Sequence, residues 1–79
     1  MTFEQLQCFI ASVEEKTFFD AAQSLYISQS SLSKQIMKLE QELGVMLWDR
    51  SRRKAGLTEA GNIFYQDALI LLKQYSQAR

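Results

Sequence analysis

The chain has no histidine and no proline, a single cysteine and only three glycines in 79 residues. Each shortage excludes something. Without histidine, the usual proton shuttle near neutral pH and the commonest metal ligand are both missing. One cysteine, Cys8, excludes an intramolecular disulfide and a thiolate metal cluster. It falls near the apolar stripe of the first expected helix, where a small buried hydrophobe is its simplest role. The shortage of proline and glycine favours helices with few irregular loops. Gly44, Gly56 and Gly61 fall in one region and mark the expected break in the helical pattern. No apolar run approaches membrane-spanning length, and no charged-then-apolar leader opens the chain. Catalytic groups are equally scarce. There is no phosphate-cradling glycine loop, and Glu40 and Glu42, two apart on a helix, point in different directions. The expectation is a single small domain, not an enzyme, with no cofactor and no metal, in a reducing cytoplasmic setting.

What the chain does have is a sign reversal of charge. Its formal net charge is zero. Residues 1–27 hold one base, Lys16, against the acids Glu4, Glu14, Glu15 and Asp20. Residues 28–54 hold the bases Lys34, Lys38, Arg50, Arg52, Arg53 and Lys54 against the acids Glu40, Glu42 and Asp49. Local positive charge, more than the whole-chain sum, decides whether a surface docks on a polyanion.

Helical signals recur along the chain. Thr2 and Gln5 have capping-box spacing, and Leu6, Phe9, Ile10 and Val13 then recur at i, i+3, i+4 and i+7, predicting a helix over residues 3–15. Thr17 and Asp20 predict a second cap, followed by a short helix ending near Leu25 or Tyr26. Ala21 and Ala22 supply the small side chains that two steeply crossing helices need where their axes approach. Ser28 predicts a third N-cap. Leu32, Ile36, Leu39 and Leu43 then share a narrow arc, while Ser30, Lys34, Met37, Lys38 and Gln41 share the opposite one, with Ser31 and Ser33 on its flanks. Gly44 is the expected stop. The stretch from Val45 to Gly61 places Leu47, Trp48 and Leu57 around a basic connector. It reads as a two-stranded hairpin with its return strand starting at Ala55 or Gly56, or alternatively as a basic loop. From Thr58 a final helix runs to the end. Gly61 inside it costs about 1 kcal/mol against alanine, which implies a packing reason. This helix is apolar almost all round, and Phe64, Ala68, Leu71 and Tyr75 have coiled-coil spacing. One side is therefore expected on its own domain and that seam on a second copy.

The opening Leu6-x-x-Phe9 helix, Phe18-x-x-Ala21-Ala22-x-x-Leu25, SQSSLSKQIMKLEQELGVMLWDR and LTEAG, in this order and spacing, resemble the N-terminal region of LysR-type transcriptional regulators over essentially all 79 residues. The resemblance implies a mainly α fold. Residues 1–58 would form a winged helix-turn-helix of three helices plus a short β-hairpin wing, and residues 59–79 a long C-terminal linker helix. It further implies a homodimer that binds double-stranded operator DNA and regulates transcription, with a small-molecule effector recognised only in a C-terminal domain lying outside this sequence. Two positions depart from the family pattern. Ser30 stands where proline is usual, removing a preorganised first turn. Lys34 stands where arginine is usual, so a point charge replaces a planar fork, and phosphate contact is expected there over bidentate guanine reading.

Individual roles follow from the expected docking of the third helix in the major groove. Gln29 is the candidate for direct readout of adenine; a solvated polar residue near a cap is the bland alternative. Ser30, Ser31 and Ser33 are short donors and acceptors that permit close approach. Lys34 and Lys38, one turn apart, are expected at phosphates. Arg50, Arg52 and Arg53 in the wing would reach the backbone or minor groove, although Arg50 has an alternative in Asp49, Glu40 or Glu42 as ion-pair partners. Met37 either packs on a thymine methyl or fills a gap against the wing, the second being the expectation. Phe9, Phe18, Phe19 and Trp48 read as core or near-core. A protein-interaction or oligomerisation module is the alternative function, supported by the zero net charge and opposed by the basic cluster.

Overall fold

The computed structural model describes residues 1–49 and 56–77. The element order is α1 (Phe3–Glu14), α2 (Phe18–Ser24), α3 (Gln29–Leu43), β1 (Trp48–Asp49), β2 (Gly56–Leu57) and α4 (Glu59–Gln77). Each helix begins where a hydroxyl can satisfy an orphan amide. Thr2 accepts from Gln5 N–H at 3.1 Å while the Gln5 side chain accepts from Thr2 N–H at 2.9 Å, a complete capping box. Thr17 accepts from Asp20 N–H and Ser28 from Ser31 N–H. Gly44 ends α3 in the left-handed region at φ 71°.

The three-helix core follows from the apolar arcs. Phe9, Leu32, Ile36, Leu39 and Leu47 are fully buried, and Ala21 and Ala22 let α2 pack tightly beside its neighbours. Two expected core positions are corrected. Phe19 is 52% exposed, because it stands about 100° round α2 from Phe18 while Ala21, Ala22 and Leu25 fill the packed side. Leu43 is 37% exposed at the last turn of α3, where the helix runs past the core. In the turn before α3, Tyr26 takes a left-handed conformation at φ 59° and is 95% exposed. That geometry costs a non-glycine residue roughly 1 kcal/mol.

The hairpin is antiparallel, with Trp48 opposite Leu57 and Asp49 opposite Gly56. Two-residue strands cannot hold themselves together, so its stability comes from side chains. The Trp48 ring meets Phe18 edge-on at 5.3 Å, and its indole N–H donates to Ser12 Oγ at 3.2 Å. Ser12 in turn donates to the Phe9 carbonyl at 2.6 Å. The buried Glu40 carboxylate accepts from the backbone amides of Leu47 and Trp48 at 2.8 and 3.2 Å. It thus fixes the entry to β1 from within α3.

One face of α4 completes this core. Ala68 is fully buried, Phe64 packs on Phe9 at 5.6 Å, and Tyr75 stacks on Phe3 at 4.4 Å. The Tyr65 hydroxyl donates to Glu14 at 2.7 Å. Of the residues expected in the dimer seam, Phe64 and Ala68 pack on the protein's own core, while Tyr75, stacked on Phe3, and Leu71 stay 47% and 36% exposed. The outward side of the helix also carries Ile63 and Ile70, 62% and 56% exposed and two turns apart.

Gly61 has the packing reason its position implied. A Cβ there would meet the Leu47 carbonyl oxygen at 2.2 Å and the Leu57 side chain at 3.0 Å. Gly61→Ala is expected to destabilise the fold by about 1–3 kcal/mol of overpacking, outweighing the roughly 1 kcal/mol gain in helix propensity. Thermal unfolding followed by circular dichroism checks this. The midpoint should drop by about 4–8 °C per kcal/mol, and an unchanged or raised midpoint would show that α4 shifts freely.

Cys8 is 1% exposed, and burial, followed by the negative charge of Glu4, pushes its thiol up to about 11 from 9.0. The thiolate is the reactive form, so at pH 8 only roughly one thiol in a thousand is ionised. A disulfide reagent such as DTNB should therefore leave the native protein unlabelled at pH 8 and label the urea-unfolded chain fully. Fast labelling of the native protein would contradict the burial described.

Candidate nucleic-acid interface

The outward arc of α3 is built from its N-terminus. Ser28 holds the first turn. Its hydroxyl accepts from Ser31 N–H at 3.1 Å, lies 3.1 Å from the Ser30 hydroxyl and donates to that of Ser31 at 3.0 Å. The three hydroxyls therefore form one exposed group over the start of the helix, where unpaired backbone amides and the helix dipole favour an anion. Gln29 is exposed in the same turn, and Ser33 is half-buried on the flank.

Further along, Ser30, Lys34, Met37 and Gln41 are all exposed and nearly in line, with Lys38 beside them. The opposite arc, Leu32, Ile36 and Leu39, is fully buried. Among the described residues neither Lys34 nor Lys38 makes an ion pair. Of the two acids of α3, Glu40 is buried under the hairpin, and Glu42, one turn beyond Lys38, pairs with the N-terminal ammonium of Met1. The arc is consequently positive although the chain is neutral, because one carboxylate is buried and the other is met by an ammonium.

The structure thus brings together Gln29, Ser30, Ser31, Ser33, Lys34 and Lys38 on one helix. Arg50, Arg52, Arg53 and the neighbouring Lys54 lie outside the described residues. The alternative ion pairing of Arg50 with Asp49, Glu40 or Glu42 therefore also lies outside the described residues. Met37 is 51% exposed and borders an open cleft with Val45 and Met46. Sequence reasoning missed that cleft. Its signal was the apolar pair Val45 and Met46 following the Gly44 stop. It also missed the role of Glu40, whose position at the rim of the apolar arc was the available clue.

Comparison with known proteins places this geometry. Residues 3–62 match the family model described as bacterial regulatory helix-turn-helix protein, lysR family. A probable RuBisCO transcriptional regulator of Cyanidioschyzon merolae is 55% identical over 71 residues, covering 90% of this chain and 23% of that protein. The transcriptional regulator BenM of Acinetobacter baylyi is 44% identical over 77 residues, covering 98% of this chain and 25% of BenM. The chain spans about a quarter of the length of these relatives. A crystal structure of the BenM DNA-binding domain with catB site 1 DNA superposes with a TM-score of 0.89 at 44% identity, covering 99% of this chain and 88% of that one. A CbnR DNA-binding domain in complex with DNA gives 0.90 at 40% identity, covering 99% and 90%. The fold is that of such DNA-binding domains, and the chain belongs to the LysR family of bacterial regulatory helix-turn-helix proteins.

Proposed function

We propose that this chain is the operator-reading module of a transcriptional regulator, binding double-stranded DNA in a sequence-specific manner as a homodimer. The observation that carries the reading is the outward arc of α3, polar and positive, held rigidly by a capped N-terminus and a buried opposite face. The relatives solved with DNA support it. In this reading α3 lies in the major groove with its first turn toward base edges. Gln29 reads a base, the Ser30, Ser31 and Ser33 hydroxyls allow the backbone close, and Lys34 and Lys38 meet phosphates. Arg50, Arg52 and Arg53 would add backbone or minor-groove contacts from the wing.

The dimer surface in this reading is the exposed side of α4, where Ile63 and Ile70 stand in solvent beside Leu71 of the expected seam. A second copy doubles the phosphate contacts of a neutral protomer and sets two half-sites apart by helical turns. Work on DNA implies a cytoplasmic protein, and no helix among the described residues is long and apolar enough to cross a membrane. Effector recognition is assigned to sequence outside these 79 residues, and no catalytic role is assigned within them. The alternative, a protein-interaction module, draws on the zero net charge and the same exposed isoleucines.

The deciding experiment is selection of bound duplexes from a randomised pool, followed by titration at several salt concentrations. An inverted-repeat motif bound with a steep salt dependence supports the DNA reading; no enrichment and salt-insensitive behaviour supports the interaction module. Lys34→Ala should weaken binding to all sequences alike and flatten the logarithmic salt slope by about one unit per protomer. Gln29→Ala should instead relax preference at one operator position, and an unchanged selected motif would remove its readout role. For the dimer, Ile70→Glu should lower the sedimentation-derived dimer fraction without lowering the thermal midpoint by more than about 4 °C, since exposed substitutions act within ±0.5 kcal/mol on stability. An unaltered dimer fraction would exclude this face.

A further inference from the structure

The cleft beside α3 is open, about 420 Å³ in volume, and bordered by Met37, Glu40, Gln41, Gly44, Val45 and Met46. Met37, Val45 and Met46 are 51%, 44% and 53% exposed, so three large apolar side chains face solvent next to one another. Solvent-facing apolar clusters of this kind mark contact surfaces. Two observations say what this one contacts. First, it continues the proposed DNA face. Seven residues separate Ser30 from Met37, which is 700° of helix, only 20° short of two full turns. An orientation that aims Ser30 at a base edge therefore aims Met37 at the same groove about 10 Å further along the axis. Second, among the described residues its lining is apolar or uncharged except for Glu40, whose carboxylate is engaged by the Leu47 and Trp48 amides. Such a lining suits an apolar group better than a phosphate. Among the groups that base pairs display in the major groove, the apolar one is the C5 methyl of thymine.

We propose that Met37, backed by Val45 and Met46, receives a thymine methyl group and is a specificity-determining residue of the operator contact. The assignment rests on the DNA reading given above. Its recognition is by shape and desolvation, without a hydrogen bond. A flexible, polarisable methionine suits it, because it can close over the methyl without leaving a polar atom unpaired. Sequence preference would then arise at two separated places on one helix, one read by hydrogen bonds and one by an apolar contact.

The test removes the methyl from the DNA and its receiver from the protein separately. Each thymine of the selected operator is replaced singly by deoxyuridine, which deletes only the C5 methyl, and Kd is measured for the wild type and for Met37→Ala. The expected result is one thymine per half-site whose replacement weakens wild-type binding about fourfold, the value of one buried methyl. The same replacement should change Met37→Ala binding by less than about 1.5-fold, and Met37→Leu should restore most of the sensitivity. Met37 is half exposed, so the variants keep the fold; unchanged circular dichroism and dimer fraction check this. Sequence-selective binding that is indifferent to every thymine methyl, or a penalty that persists in Met37→Ala, overturns the proposal alone and leaves the cleft to a protein partner. Absence of selective binding by the wild type overturns the DNA reading and this proposal together.

Discussion

The backbone of Leu47 is the junction on which the rest of the structure depends. Its amide donates to the buried Glu40 carboxylate at 2.8 Å, which ties it to α3. Its carbonyl accepts from Thr58 N–H at 3.0 Å and lies within 3.3 Å of the Thr58 hydroxyl, which ties it to the start of α4. The same carbonyl fills the space a side chain at residue 61 would occupy. Its own side chain is fully buried. One residue thus fixes where α3 ends, where the hairpin leaves and where α4 begins. The Thr58 hydroxyl reinforces the junction from the other side, donating to the Met46 carbonyl at 2.6 Å and accepting from Gly61 N–H at 2.9 Å. A two-stranded hairpin too short to persist alone is therefore held in register by bonds outside its own ladder.

That junction also explains how a neutral chain presents a positive surface. Burying Glu40 beneath the hairpin withdraws one of the two carboxylates of α3 and engages it with two backbone amides. Glu42 meets the N-terminal ammonium. Lys34 and Lys38 remain on the exposed arc and make no ion pair among the described residues. Local charge is thus set by where the acids are folded away, and the whole-chain sum carries little information about it. The hydroxyl group of Ser28, Ser30 and Ser31 gives the first turn a compact polar surface in place of longer side chains that would hold the helix off.

The two faces of α4 divide the labour of an almost wholly apolar helix. One completes the domain through Phe64, Ala68 and Tyr75. The other leaves Ile63 and Ile70 in solvent. Contacts from Phe3 to Tyr75 and from Glu14 to Tyr65 run α4 against α1 along both helices. The direction in which α4 leaves the domain is consequently fixed by the core, and so is the direction its outward stripe faces.

Local features were legible in the sequence because their causes are local. Thr2, Thr17 and Ser28 cap, Gly44 stops, and the alternation of arcs on α3 separates core from surface, all through contacts within one or two turns. Gly61 announced a close approach, though not what approaches. The misreadings have a different origin. Phe19 and Leu43 are apolar yet stand exposed, the first because it lies off the packed side of a short helix, the second because a helix end presents fewer neighbours than periodicity assumes. The choice between the faces of α4 was undecidable from spacing, since both carry apolar residues at heptad intervals. The sequence by itself determined the helices, their boundaries and the polar composition of the arc on α3. Only the tertiary structure decided which side of α4 the domain consumes, which carboxylate is withdrawn from the surface, and that Met37, Val45 and Met46 converge on one cleft, because each depends on contacts between residues far apart in the chain or across a turn that no period describes.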